Sequence, residues 1–202
     1  MLSEIKHKQV FFFLILLISI GIGVQFVIYK IAIIALSLQW LISTDYKQKV
    51  LRIKQNNFGL ALIGLFCLYA ISFLWSENQA VSIADTVLKS PLLLFPLVIF
   101  SQKSLSLKRL NQVFLFFAFG SVLINLICFT DAYFRFLDTN QTREFYSSNL
   151  TINMHTAYQS MFTCFSIVLF VYLFVKEKFI SNWITYLAVT IQIVFVLLLS
   201  SR

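Results

Sequence analysis

The sequence predicts an all-α fold: a polytopic helical membrane protein with about seven transmembrane helices and a cytoplasmic N-terminus. Three observations carry this reading. Of the 202 residues, 59% are hydrophobic and only 12% are charged, against about 25% charged in soluble domains. That is too little polar side chain to cover a globule of this size. Long apolar runs alternate with short charged stretches, as spans alternate with loops. The alternating segments of a β-barrel do not occur. The formal net charge of +8 is concentrated in the short connections, where a basic bias sets membrane orientation. The lipid bilayer is therefore the expected partner, and nucleic acid is not. The chain reads as a single transmembrane domain, 1–202, without internal repeats or low-complexity linkers.

The first apolar block runs from Val10 to Ser43. One straight helix of that length would measure about 51 Å, against about 30 Å of hydrocarbon. Lys6 and Lys8 precede the block, and Lys47, Lys49, Arg52 and Lys54 follow it. With both flanks cytoplasmic the block crosses an even number of times, so two short spans are expected. Their turn falls between Gly21 and Lys30, at Gly21–Gly23 or at Tyr29–Lys30. The basic start could also pass for a signal peptide, but no A-x-A-like site follows and a retained span is expected.

Phe58–Trp75 is the third expected span, leaving the membrane at Trp75, Ser76 and Glu77. The run PLLLFPLVIF, from Pro91 to Phe100, is too short to cross alone, and Gln79–Ser90 completes it. Asp85 and Lys89 in that extension stand at the favourable i,i+4 order, which offsets part of the cost of charge near lipid. Pro91 should kink or break this helix; an interfacial helix followed by a half-span is the alternative. The fifth span is Asn111–Thr130. Asp131–Met154 is the long polar connection, with acidic residues outnumbering Arg135 and Arg143, and suits the outer side. His155–Val175 is the sixth span, Lys176–Lys178 a cytoplasmic turn, and Trp183–Leu199 the seventh. Arg202 then emerges on the outer side.

No nucleotide-binding, zinc-protease or serine-hydrolase motif is present. Cys67, Cys128 and Cys164 lie inside apolar runs without metal-ligand or CxxC spacing, and read as small core residues. His7 sits in a charged, solvated stretch. His155, in NMHTAYQS, is either an interfacial polar residue or a proton acceptor or phosphate ligand at the outer surface. Arg202 is either a snorkelling anchor or a bidentate phosphate ligand, with Ser200 and Ser201 as possible hydroxyl donors. Arg135 and Arg143 are further candidates for an outer anionic site, the alternative being a solvated loop. Asn140 and Asn149 each begin an N-x-[ST] acceptor pattern in the expected outer loop.

Three segments together suggest a family. FLWSENQAVSIADTVLKSPLLLFPLVIF (Phe73–Phe100) resembles a span ending in W-S followed by a variable helix and an L-x-L-L-x-F-P-L run. HTAYQSMFTCFSIVLFVYL (His155–Leu173) is similar to an H-x-x-Y span opening. LLLSSR, ending at Arg202, is similar to an S-R at the outer end of the next span. In this order they resemble the O-antigen ligase and polymerase-like membrane glycosyltransferases. The resemblance covers essentially the whole chain but only the N-terminal half of a family member.

The resemblance implies a bacterial inner-membrane protein of lipopolysaccharide and cell-envelope biosynthesis. It implies a polyprenyl-diphosphate-linked glycan donor, a sugar-hydroxyl acceptor such as lipid A-core, and transfer on the periplasmic side without metal or cofactor. Arg202 matches the arginine facing the carrier diphosphate. His155 matches the H-x-x-Y position, which is not the family's catalytic histidine. That histidine, the large periplasmic loop and a second arginine have no counterpart here. The expectation is a truncated chain, inactive by itself. A polymerase of the same family and a small non-enzymatic transport or assembly subunit are the alternatives.

Overall fold

The computed structural model of the protein describes residues 2–24, 28–42, 45–152 and 154–200. Nine α-helices are found among them: α1 (Leu2–Val24), α2 (Ile28–Ile42), α3 (Tyr46–Lys54), α4 (Asn57–Ser72), α5 (Gln79–Leu88), α6 (Pro91–Phe95), α7 (Leu107–Thr139), α8 (Thr156–Val175) and α9 (Asn182–Ser200). Short 3-10 turns follow α4 and α7, and a π turn, Pro96–Phe100, extends α6. There is no strand among the described residues. The chain divides into two compact units, residues 1–33 with 106–202, and residues 34–105.

Four helical stretches are long and apolar enough to cross a bilayer: Gln79–Phe100, Leu107–Thr139, Thr156–Val175 and Asn182–Ser200. A fifth is added if α3 and α4, bent by 93° at their junction, count as one. The protein is thus an all-helical, multi-pass type of chain, with four to five candidate spans where the charge pattern predicts seven. The difference lies in three short elements. Gln9–Ile22 and Tyr29–Ile42 are the apolar stretches of the first block, each about 21 Å long at 1.5 Å per residue. Helix α4 has 16 residues, or about 24 Å. All three fall short of about 30 Å of hydrocarbon. The break between α1 and α2 falls after Val24 and before Ile28, within the interval expected for a turn. An added Cβ on Gly21 would stand 2.7 Å from Tyr29 Cβ, so this close approach requires glycine.

In the first unit, α1, α7 and α9 run parallel and α8 runs against them. Phe12 faces the Arg109 guanidinium at 5.0 Å, and Ser19 donates to the Val113 carbonyl at 2.6 Å, so α1 and α7 advance together. Ser166 donates to the Ala118 carbonyl near one end, while Gln159 meets Asn125 and Cys128 near the other, which sets α8 antiparallel to α7. Two apolar clusters follow the same order. Ala118, Val122, Leu169, Phe170 and Ala188 form one; Ile124, Cys128, Ala132, Leu150, Phe195 and Leu199 form the other. One end of this unit therefore carries the α8–α9 connection, where Asn111 and Tyr172 donate to the two carboxylate oxygens of Glu177 at 3.0 and 3.1 Å. The opposite end carries the α7–α8 connection and the C-terminus of α9.

Helix α7 does not stop at Thr130. It runs 33 residues to Thr139, where Asn140 caps it at φ 55°, in the left-handed region asparagine tolerates. Asp131 and Arg135, 3.0 Å apart at i,i+4, support the added turns. The connection beyond folds into two 3-10 turns, Thr142–Phe145 and Ser147–Leu150. Phe145 packs on Phe129 and Phe136 at 5.4 and 5.5 Å, and Leu150 is fully buried. The segment read as a long polar connection is the end of α7 followed by a compact cap with its own apolar anchors.

In the second unit, α4 runs antiparallel to the α5–α6 segment. Phe58 meets Phe100 edge-on at 6.0 Å, and Tyr69 receives the Lys89 ammonium over its ring at 4.3 Å. Asn78 caps α5 by accepting from the Val81 amide at 3.2 Å. The helical path breaks at Lys89–Ser90 and restarts with Pro91, where a missing N–H costs nothing. Pro96 opens the π turn, a wider turn that accommodates the second missing donor. Asp85 and Lys89 pair at 3.9 Å, both partly exposed.

Candidate functional site

The site builds up at the capped end of the first unit. Arg135, on the last turns of α7, is held by three groups. Its guanidinium lies 3.0 Å from Asp131 and 3.6 Å from Glu144, and donates to the Asn149 carbonyl at 2.5 Å. Glu144 is nearly buried, and its other oxygen stands 3.7 Å from Arg143 Nε. One carboxylate thus bridges the two arginines singled out in the sequence. The structure brings them together, but in different states. Arg135 has its charge compensated and both terminal nitrogens engaged, while its buried Nε makes no hydrogen bond, a geometry that fastens the cap to α7. Arg143 is 72% exposed and keeps most of its fork toward solvent, so it can meet an external anion. The Asn149 side chain donates to the Arg143 carbonyl at 3.3 Å and steadies that backbone.

His155 is the N-cap of α8. Its Nδ1 accepts from the Ala157 amide at 3.2 Å, satisfying one of the helix's free N–H groups. Its ring lies edge-on to Tyr158 at 6.2 Å and is exposed. The capping bond fixes Nδ1 as acceptor, which leaves Nε2 to carry the proton of the neutral ring. Helix α9 reaches the same end, with Leu199 packed in the cluster that buries Leu150. Ser200 donates to the Leu197 carbonyl at 3.1 Å. Ser201 and Arg202 lie outside the described residues. Among the described residues, no three His, Cys, Asp or Glu side chains gather into a group that could hold a metal ion.

Beneath the cap lies a polar network absent from the sequence reading. Asn125 donates to Gln192 Oε1 at 2.5 Å and to Thr163 at 3.1 Å. Gln159 donates to Asn125 Oδ1 at 3.0 Å and to Cys128 Sγ at 3.4 Å. Gln192 donates to Ser166 at 2.9 Å and Ser121 at 3.2 Å. All six polar residues are buried. The network carries no formal charge, so it avoids the cost of ions at membrane depth while it joins α7, α8 and α9 by interhelical hydrogen bonds. A signal existed: Ser121 with Asn125, and Gln159 with Thr163 and Ser166, repeat at helical spacing inside apolar runs.

The second unit holds a different arrangement. The buried Lys49 ammonium lies 4.6 Å from the Trp40 ring and 4.4 Å from the Tyr46 ring, and donates to the Trp40 carbonyl at 2.5 Å. Burial pushes Lys49 below its ordinary value, opposed by nearby Asp45. Trp40 Nε1 donates to Ser101 Oγ at 2.7 Å, and Arg52 donates to the Ser101 carbonyl at 3.1 Å.

No family profile, curated protein or solved structure matches this chain.

Proposed function

We propose that the chain is the carrier-binding part of an O-antigen ligase-like membrane glycosyltransferase of the bacterial inner membrane. The observation that carries the reading is the convergence of two resembling motifs. Helix α8, which opens on H-x-x-Y, starts, and the helix that leads into S-R finishes, at the end of the unit that carries the Arg135–Glu144–Arg143 cap. In the transfer, a sugar hydroxyl oxygen bonds to the anomeric carbon as the carbon–oxygen bond to the diphosphate breaks. Negative charge builds on the departing phosphate oxygens, and guanidinium groups at the membrane edge stabilise it. Arg202 is assigned that role, with Arg143 as a second contact. Arg135 positions the cap, and His155 caps the start of α8 with an exposed ring. None of these residues is assigned as the base that takes the acceptor's proton.

The test is binding of undecaprenyl diphosphate to the chain in nanodiscs, with undecaprenol as the uncharged control. Arg202→Ala should weaken diphosphate binding about 10- to 100-fold, the worth of a charge-assisted contact, with the melting temperature unchanged. Equal binding of the two lipids, or wild-type affinity in Arg202→Ala, removes the reading. The internal neutralisation of Arg135 favours the second reading, a non-enzymatic transport or assembly subunit, and that outcome would leave it standing. A ligase and a polymerase differ in the acceptor they use, lipid A-core or a second carrier-linked glycan.

A further inference from the structure

Helix α3 is a nine-residue basic helix set at 93° to α4. If α4 lies along the membrane normal, α3 lies in the membrane plane. Its two faces differ. Lys49 and Ile53, at i,i+4, are buried. Lys47, Val50, Leu51 and Lys54 fall on the opposite stripe at i, i+3, i+4 and i+7. Val50 and Leu51 are 51% and 58% exposed, and both lysines are exposed. An apolar pair with a lysine at each end suits the boundary between acyl chains and headgroups. The pair enters the apolar layer while the ammonium groups snorkel outward to phosphate.

The surroundings reinforce the placement. Arg52 and Trp40 both bind Ser101, which brings exposed Lys103 to the same end of this unit. Lys47, Lys54, Arg52 and Lys103 are thus gathered there, with Asp45 the one acidic residue in this stretch of sequence. The opposite end carries Glu77. The caged Lys49 anchors α3 from beneath, so the stripe is preformed and binding need not order the helix.

We infer that α3, with Lys103, is a docking surface for anionic phospholipid headgroups of the membrane in which the chain resides. The partner chemistry is a lipid phosphate carrying net negative charge. Each nearby lysine contributes about five-fold to such a preference, and the contribution falls with salt. This surface is independent of the carrier-binding reading.

The experiment places the intact chain in nanodiscs of equal phosphatidylglycerol and phosphatidylcholine, then counts retained lipids by native mass spectrometry. The wild type should retain phosphatidylglycerol in excess. Lys47→Gln with Lys54→Gln should reduce the excess at least ten-fold, and Lys47→Arg with Lys54→Arg should preserve it. Lys176→Gln with Lys178→Gln, an equal change of charge in the other unit, should reduce it far less. Equal losses in the two glutamine pairs would mean unspecific attraction and would overturn the inference, as would no wild-type excess at low salt. If the α3 glutamine pair does not fold, Lys103→Gln decides instead: it must reduce the excess about five-fold, and a loss no larger than that of Lys178→Gln overturns the inference.

Discussion

At the residue scale, two buried polar groups perform different work. Glu144 compensates both Arg135 and Arg143 and ties the cap to α7. Glu144→Ala leaves Arg135 with Asp131 and one carbonyl, and should destabilise the cap by about 1–2 kcal/mol. The cost stays below that of a fully buried pair because Arg135 keeps some solvent. Faster amide exchange over residues 140–150, with α8 unchanged, is the expected reading; unaltered exchange would mean that Leu150 and Phe145 hold the cap alone. Asn125 sits at the centre of the network, bonded to residues of α8 and α9. Asn125→Leu strands the amides of Gln159 and Gln192 and should cost about 1–2 kcal/mol in reversible unfolding from mixed micelles. Simultaneous replacement of Asn125, Gln159 and Gln192 by leucine should cost less than the sum of the single changes, since the three amides no longer strand one another and of the hydroxyls only Ser121 loses its one bond.

At the element scale, close helix contacts make their own demands. A Cβ on Gly59 would stand 2.8 Å from Phe100 Cδ2, whereas one on Gly64 meets nothing within 4 Å. Gly59→Ala should therefore lower stability by about 1–3 kcal/mol through overpacking. Gly64→Ala should raise it by about 0.5–1 kcal/mol through helix propensity. Thermal unfolding of both variants in one detergent checks the pair, and a shared sign would contradict the packing of α4 on the π turn. The sequence shows where apolar helices lie, because burial in lipid and helix formation share one signal. The Gln79–Phe100 stretch and the segments near His155–Val175 and Trp183–Leu199 were readable for that reason. The continuation of α7 to Thr139 was not, because Asp131, Arg135 and Asp138 look like loop until their i,i+4 pairing and the Asn140 cap are seen. The division of the first block was readable from its length and flanking charges, but not that its apolar stretches, Gln9–Ile22 and Tyr29–Ile42, are each shorter than a full span. Charge parity counts crossings without measuring lengths.

At the scale of the molecule, side-chain order within each unit constrains where its ends lie. In the first unit, α1, α7 and α9 run one way and α8 the other. The α8–α9 turn and the cap must therefore lie at opposite ends. The candidate arginines and His155 were visible in sequence as isolated polar residues. Charge parity already put them on one side; the helix order adds that Arg135, Arg143 and His155 lie at the end where α9 finishes. Arg135's internal compensation depends on Glu144 and Asn149, which no local pattern connects to it. The orientation proposed from the positive-inside bias would put the Lys176–Lys178 end in the cytoplasm and the cap on the outer side. In a cysteine-free background, Lys178→Cys should then be labelled by an impermeant maleimide only in inverted membranes, and Ser148→Cys only in right-side-out ones. Labelling of both from one side would contradict the helix order itself. Opposite labelling with the sides exchanged would keep the fold but put the cap in the cytoplasm. It would thereby remove the periplasmic setting that the glycosyltransferase reading needs.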